Sequence, residues 1–122
     1  MTIQELYQMI GGDYEQAKRV LRVDKLIDKH IRKLTDSGVI EKLLAAEERM
    51  DPVELFETAH AVKGITANLG LVAISEAASV IAEEYRPGSV RKMNDEEVKE
   101  KLAEIRALYE RTEEGIRAYS AS

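Results

Sequence analysis

Apolar residues recur at helical spacing along almost the whole of this 122-residue chain, and short polar clusters with glycine or proline punctuate them. Thr2-Ile3-Gln4-Glu5 has the form of a capping box opening a short helix, which Gly11-Gly12 stops. Asp13 is placed to cap a second short helix over 14–22. Asp24 is placed to cap a third, running to about Thr35, with Leu26, Ile27, Ile31 and Leu34 as its apolar positions. Asp36-Ser37-Gly38 reads as a turn, and Val39 to Glu48 as a fourth helix with Ile40, Leu43 and Leu44 inward. Asp51-Pro52 is an N-cap followed by proline at the first helical position, and that helix ends near Asn68-Leu69-Gly70. Leu71 to about Tyr85 forms the next, cored by Leu71, Ile74, Ala78, Ile81 and Tyr85, and Pro87-Gly88 breaks it. Asn94-Asp95-Glu96-Glu97 opens the last helix, whose seam is Val98, Leu102, Ile105, Tyr109, Thr112, Ile116 and Tyr119.

Long helices with short connections predict an all-α fold, an antiparallel four-helix bundle. Its members start near 24, 52, 71 and 95, and the bundle spans 24–119. The short helices within 1–23 cover one end, and 39–48 is read as a bridging piece. Neither an internal repeat nor a linker divides the chain, so residues 1–122 are expected to form one domain.

Composition narrows the function. Without cysteine there is no disulfide framework, thiolate metal site or cysteine nucleophile. A net charge of −5, with no basic, aromatic-rich stripe, argues against nucleic-acid binding. No apolar run reaches the ~18 residues of a membrane span, and the N-terminus lacks the form of a signal peptide. A cytoplasmic, monomeric protein is expected. No Gly-rich nucleotide loop is present and the chain has no room for an ATP-binding domain, which argues against a kinase.

The chemistry concentrates in residues 56–71. At about 100° per residue, Leu55, Ala59, Val62, Thr66 and Leu69 share one stripe, the core face. His60 lies about 140° from Leu55 and Gly64 about 180°, so both point outward, with Phe56, Lys63 and Ala67 on the flank. The i, i+3, i+4 spacing of His60, Lys63 and Gly64 puts a nucleophile, a cation and a missing side chain together. Neutral imidazole is nucleophilic near pH 7, and lysine can pair with phosphoryl oxygens. A mid-helix glycine costs about 1 kcal/mol relative to alanine, which asks for a reason such as access for a second protein. His30 shares a face with Ile27, Ile31 and Leu34 and is read as turned inward or to the bundle edge, a partly buried histidine with a hydrogen-bond partner. The carboxylate runs Glu47-Glu48, Glu83-Glu84, Asp95-Glu96-Glu97 and Glu113-Glu114 read as solvated faces and helix N-terminal charges.

Ala59-His60-Ala61-Val62-Lys63-Gly64, then Asn68-Leu69-Gly70-Leu71, then Ser75-Glu76-Ala77-Ala78 resemble the histidine-containing phosphotransfer (HPt) family of two-component phosphorelays. The resemblance is close over 52–86 and looser over 24–119. It implies a phosphocarrier that accepts a phosphoryl group on His60 from a receiver-domain aspartate or a histidine kinase and passes it to another receiver. Lys63 would stabilise the phosphoryl group and Gly64 would give steric access. Phe56 and Ala67 would frame the docking face. Glu83 would hydrogen-bond the second ring nitrogen and Arg86 would approach the phosphoryl group, if the helix after the histidine helix returns beside His60. No bound cofactor is implied, and Mg²⁺ would reside in the partner receiver. The alternative is a helical module that binds receivers without being phosphorylated. A bundle metal site is disfavoured, since Glu57-x-x-His60 has no second pair.

Overall fold

The computed structural model describes residues 1–122 as seven α-helices: α1 (Ile3–Ile10), α2 (Tyr14–Leu21), α3 (Asp24–Ser37), α4 (Val39–Ala45), α5 (Pro52–Asn68), α6 (Val72–Glu84) and α7 (Asp95–Ala121). A 3₁₀ turn, Ala46–Glu48, follows α4. The caps explain the starts. Thr2 and Asn94 close full capping boxes with Glu5 and Glu97, and Asp13 and Asp51 accept the amides of Gln16 and Glu54. Asp24 does not cap α3. Val23 holds that position without a side-chain bond, and Asp24 instead accepts from Tyr14 Oη and, at 3.0 Å, from Lys18 Nζ.

Neighbouring helices are traced by their side-chain contacts. Ser75 Oγ donates to the Lys63 carbonyl, and Phe56 and Tyr85 line one groove, so α6 runs antiparallel to α5. Leu71 and Ile74 share a small cavity with Leu108 and Thr112, while Arg91 joins Glu84 to Asp95, so α7 returns along α6. On the other side of α7, Asp28 meets Tyr119 and Glu41 meets Tyr109. The chain from α3 through α4 therefore also runs opposite to α7. The segment 39–48 is not a bridge. It follows α3 along α7 after a break at Gly38, which holds φ +71, a conformation glycine adopts without penalty. The expected Asp36-Ser37-Gly38 turn shrinks to that one residue, because α3 stays helical to Ser37.

A continuous cluster of buried apolar side chains runs through every α-helix. It includes Leu6 and Tyr7 of α1, Ile27 and Ile31 of α3, Ile40 and Leu43 of α4, Leu55 and Val62 of α5, Ile81 of α6, and Leu102 and Ile105 of α7. The two N-terminal helices seal the end of the bundle where α5 turns into α6. Tyr7 Oη donates to the Leu69 carbonyl at 2.7 Å, and Asp13 N–H donates to the Gly70 carbonyl at 2.7 Å. Gly70 sits at φ +70, and a Cβ there would lie 2.1 Å from the Asp13 carbonyl oxygen, so this junction admits no side chain.

Candidate functional site

The α5 helix presents two faces of opposite character. Leu55, Ala59, Val62 and Thr66 are buried, and Thr66 satisfies its hydroxyl on the Val62 carbonyl at 2.6 Å. Val53, Glu57, His60, Ala61, Gly64 and Asn68 are exposed. Half-buried Phe56, Lys63 and Ala67 lie along the edge that faces α6. The helical periodicity of the sequence thus fixes which way His60 points.

The ring of His60 stacks on Phe56, with centroids 5.5 Å apart and planes 21° from parallel. Phe56 precedes His60 by one turn, and aromatic packing of this kind restrains the imidazole without closing its outer edge. Lys63 follows one turn later, and none of the chain's ion pairs engages its ammonium. Its main chain is held, because the Ser75 hydroxyl of α6 donates to the Lys63 carbonyl at 3.0 Å. A Cβ built on Gly64 would meet no atom within 4 Å. Neither packing nor backbone conformation therefore demands glycine there, and its effect is to leave the space beside His60 empty.

Glu83 and Arg86 do not join this cluster. They form an ion pair with each other at the end of α6. The Ser75–Lys63 bond sets the register of α6 on α5, and counting back from it places Ala78 and Ser79 level with His60. Arg86 lies farther down, lining a groove with Pro52, Val53 and Phe56. Glu83 faces another depression with Ser79, Val80 and Val90. The expected Glu83 bond to the imidazole is replaced by the Arg86 guanidinium, and Arg86 reaches the His60 neighbourhood only through Phe56.

His30 is a second correction. Of the two expected placements it takes the bundle edge rather than the interior, and it is exposed rather than partly buried. Ile27, Ile31 and Leu34 fill the core stripe of α3, and His30 falls beside that stripe, on the lip of a groove shared with Leu21, Lys33, Ile65, Asn68 and Leu69. Two residues beside the site were given no role by the sequence. Val53 is 64 % exposed, about two turns before His60, and its signal was its helical angle of about 160° from Leu55. Ser75 was visible only as part of the alanine-rich α6 motif, since its bond to a backbone carbonyl depends on register.

The remaining ionised group of note is Glu84, buried beside the loop 85–94. Burial pushes its carboxyl up, but the N–H groups of Met93 and Lys92 and the Arg91 guanidinium outweigh that and hold it below the usual range. It ties down the loop rather than the histidine. No group of three or more His, Cys, Asp or Glu side chains converges as metal ligands would, and no helix is long and apolar enough to cross a membrane.

Comparison with curated proteins and with solved structures finds no match. The profile of the Hpt domain matches residues 30–115, which takes in most of α3, all of α4 to α6 and most of α7. An exposed histidine on a helical bundle, matched over more than two thirds of its chain, identifies this protein as a member of the Hpt domain family, the histidine phosphotransfer domains of two-component phosphorelays.

Proposed function

We propose that this protein is a phosphocarrier whose acceptor is His60, taking a phosphoryl group from a receiver-domain aspartate, or from a histidine kinase, and returning it to another receiver. The observation that carries the reading is the exposed His60 ring, stacked on Phe56 and standing beside the open space at Gly64. In the forward step the Nε2 lone pair of neutral His60 forms the N–P bond while the aspartyl O–P bond breaks. The aspartate leaves with the bonding electrons. Lys63 offsets charge on the three transferring oxygens, and the partner's Mg²⁺ supplies most of the remaining stabilisation. Transfer onward follows the same geometry in reverse. The chain contributes a fixed and accessible nucleophile, and its buried α5 face and the Ser75 bond keep that nucleophile in place.

The exposure of His30 makes the deciding experiment a pair of variants. Incubation with a phosphorylated receiver and Mg²⁺, followed by mapping of acid-labile phosphate, should label wild type and His30→Gln equally. His60→Gln should take no label while keeping its helical circular dichroism. Labelling of His60→Gln, or loss of label in His30→Gln, would refute the assignment.

A further inference from the structure

Charge is distributed unevenly along this acidic chain. Residues 18–33 hold seven Lys and Arg against two Asp, whereas the whole chain has 18 basic and 23 acidic residues. Both aspartates in the segment are already engaged. Asp24 accepts from Lys18 and Tyr14, and Asp28 from Arg32 and Tyr119. Arg19, Arg22, Lys25, Lys29 and Lys33 enter no ion pair and are all exposed.

These cations surround exposed apolar groups. Val20, Val23 and Leu26 are 41 %, 49 % and 39 % exposed. Lys25, Lys29 and Lys33 form one stripe of α3. Leu26 and His30 form the next. Beyond them lies a groove of about 260 Å³ with Leu21, Leu34, Ile65 and Leu69 on its walls, and His30 and Lys33 at its rim.

The corner between α2 and α3 is strained. Arg22 has φ +73 and ψ −43, and Val23 N–H reaches back to the Leu21 carbonyl at 2.8 Å. That is a γ-turn of the rarer hand, at a residue that is not glycine. It presents Arg22 and Val23 to solvent, and strain of this kind marks places where surface geometry is selected for something besides folding. The corner itself, with Arg19, Arg22, Lys25 and Lys29, lies before residue 30, where the Hpt match begins, whereas Lys33 and most of the groove wall lie within it.

We propose that the α2–α3 corner is a second docking surface, separate from the His60 face, which binds an acidic segment of a partner polypeptide that inserts a large apolar side chain into the groove. Unpaired cations fit a run of Asp and Glu. The groove is concave and takes a single side chain, which favours a polypeptide over the flat surface of a lipid bilayer. The exposed groups between the cations are aliphatic, with no aromatic platform for nucleic-acid bases. The surface lies beside the last turn of α5, with Ile65 about 7.5 Å and Leu69 about 13.5 Å along the helix from His60. This proposal does not depend on phosphotransfer.

The test uses the full chain, ¹⁵N-labelled, titrated with a 16-residue helical Glu/Leu peptide. A Lys/Leu peptide of the same pattern, phosphatidylglycerol vesicles and a single-stranded oligonucleotide serve as comparisons. The acidic peptide should shift amides in 20–34 and 65–69. Its affinity should fall roughly tenfold in the triple variant Lys25→Ala, Lys29→Ala, Lys33→Ala, and also as salt rises from low to 0.5 M. Ile65→Ser, on the exposed wall of the groove, should weaken it with charge unchanged, which separates groove insertion from simple attraction. The proposal is overturned if the acidic peptide does not bind, if it binds the triple variant equally, or if Ile65→Ser has no effect. It is equally overturned if vesicles or the oligonucleotide bind this surface more tightly than the acidic peptide does.

Discussion

Gly64 offers a test in which stability and function should move in opposite directions. It lies in the interior of the 17-residue α5, with open space where a Cβ would stand. Gly64→Ala therefore creates no clash, and the helix gains the propensity difference of about 0.8–1 kcal/mol, part of it through a less flexible unfolded chain. For a domain of this size that is a rise of roughly 3–5 °C in Tm. Gly64→Gln should gain somewhat less, about 0.5 kcal/mol, since glutamine is a good but not the best helix former. Function falls in both variants, and far more in the second. A long side chain on a helix leans back over the preceding turn, and the residue one turn before Gly64 is His60. Glutamine at 64 would overhang the imidazole and obstruct a docking receiver, whereas alanine adds one methyl group. We expect transfer from a phosphorylated receiver to slow at least about tenfold in Gly64→Gln, near 1.4 kcal/mol in the barrier, and only slightly in Gly64→Ala. Thermal melts followed at 222 nm and rapid-quench transfer at fixed Mg²⁺ would measure both. Loss of stability in Gly64→Ala would refute the structural argument. Transfer at the wild-type rate by Gly64→Gln would refute the role in access.

Two further substitutions separate the reacting face from its support. Lys63→Ala should slow transfer severalfold or shorten the phosphohistidine lifetime in stopped kinetics while leaving the melting curve nearly unchanged, because an unpaired surface charge contributes little to folding; unchanged rates and lifetimes would make Lys63 an ordinary surface charge. Glu84→Gln should cost about 1–3 kcal/mol in urea unfolding at neutral pH by weakening the carboxylate's bonds to Lys92, Met93 and Arg91, without altering transfer by His60. The Glu84 pKa is lowered in the fold, so its contribution is complete above the unfolded value of about 4.3 and is lost as pH falls through the folded value. The gap between wild type and variant should therefore close only in acid, and a gap independent of pH would disprove the ionic origin.

The sequence was most informative where a single helix decides the outcome. The caps at Thr2, Asp13, Asp51 and Asn94, and the outward direction of His60 and Gly64, follow from spacing within one element. Features that need two elements were harder to read. Whether Glu83 reaches His60 depends on the register of α6 against α5, which the Ser75 hydroxyl sets by bonding to a backbone carbonyl that no side-chain pattern announces. His30 sits at the border of an apolar stripe, and only the placement of α5 leaves it on an open lip rather than in the core. Asp24 had the residue type of a cap, but Tyr14 and Lys18 of the preceding helix compete for its carboxylate. Gly38 signalled a turn, and the structure uses it to break one bundle member into two helices.

The latch between the N-terminal helices and the α5–α6 junction bears on the order of assembly. Tyr7 and Leu69 are 62 residues apart, and closing a flexible loop of that length costs roughly 4 kcal/mol of chain entropy, before any constant term. The α5–α6 hairpin closes across only Leu69, Gly70 and Leu71. Contacts near in sequence form fast, and distant ones wait. The hairpin that carries His60 should therefore form early, with α1 and α2 docking late and detaching first in the native state. Native-state hydrogen exchange would reveal this as earlier exchange in α1 and α2 than in α5 and α6, and the reverse order would contradict it. The His60 face would then persist through openings that take the α2 wall away from the groove beside α3, so the two surfaces of this small protein would differ in how long each remains assembled.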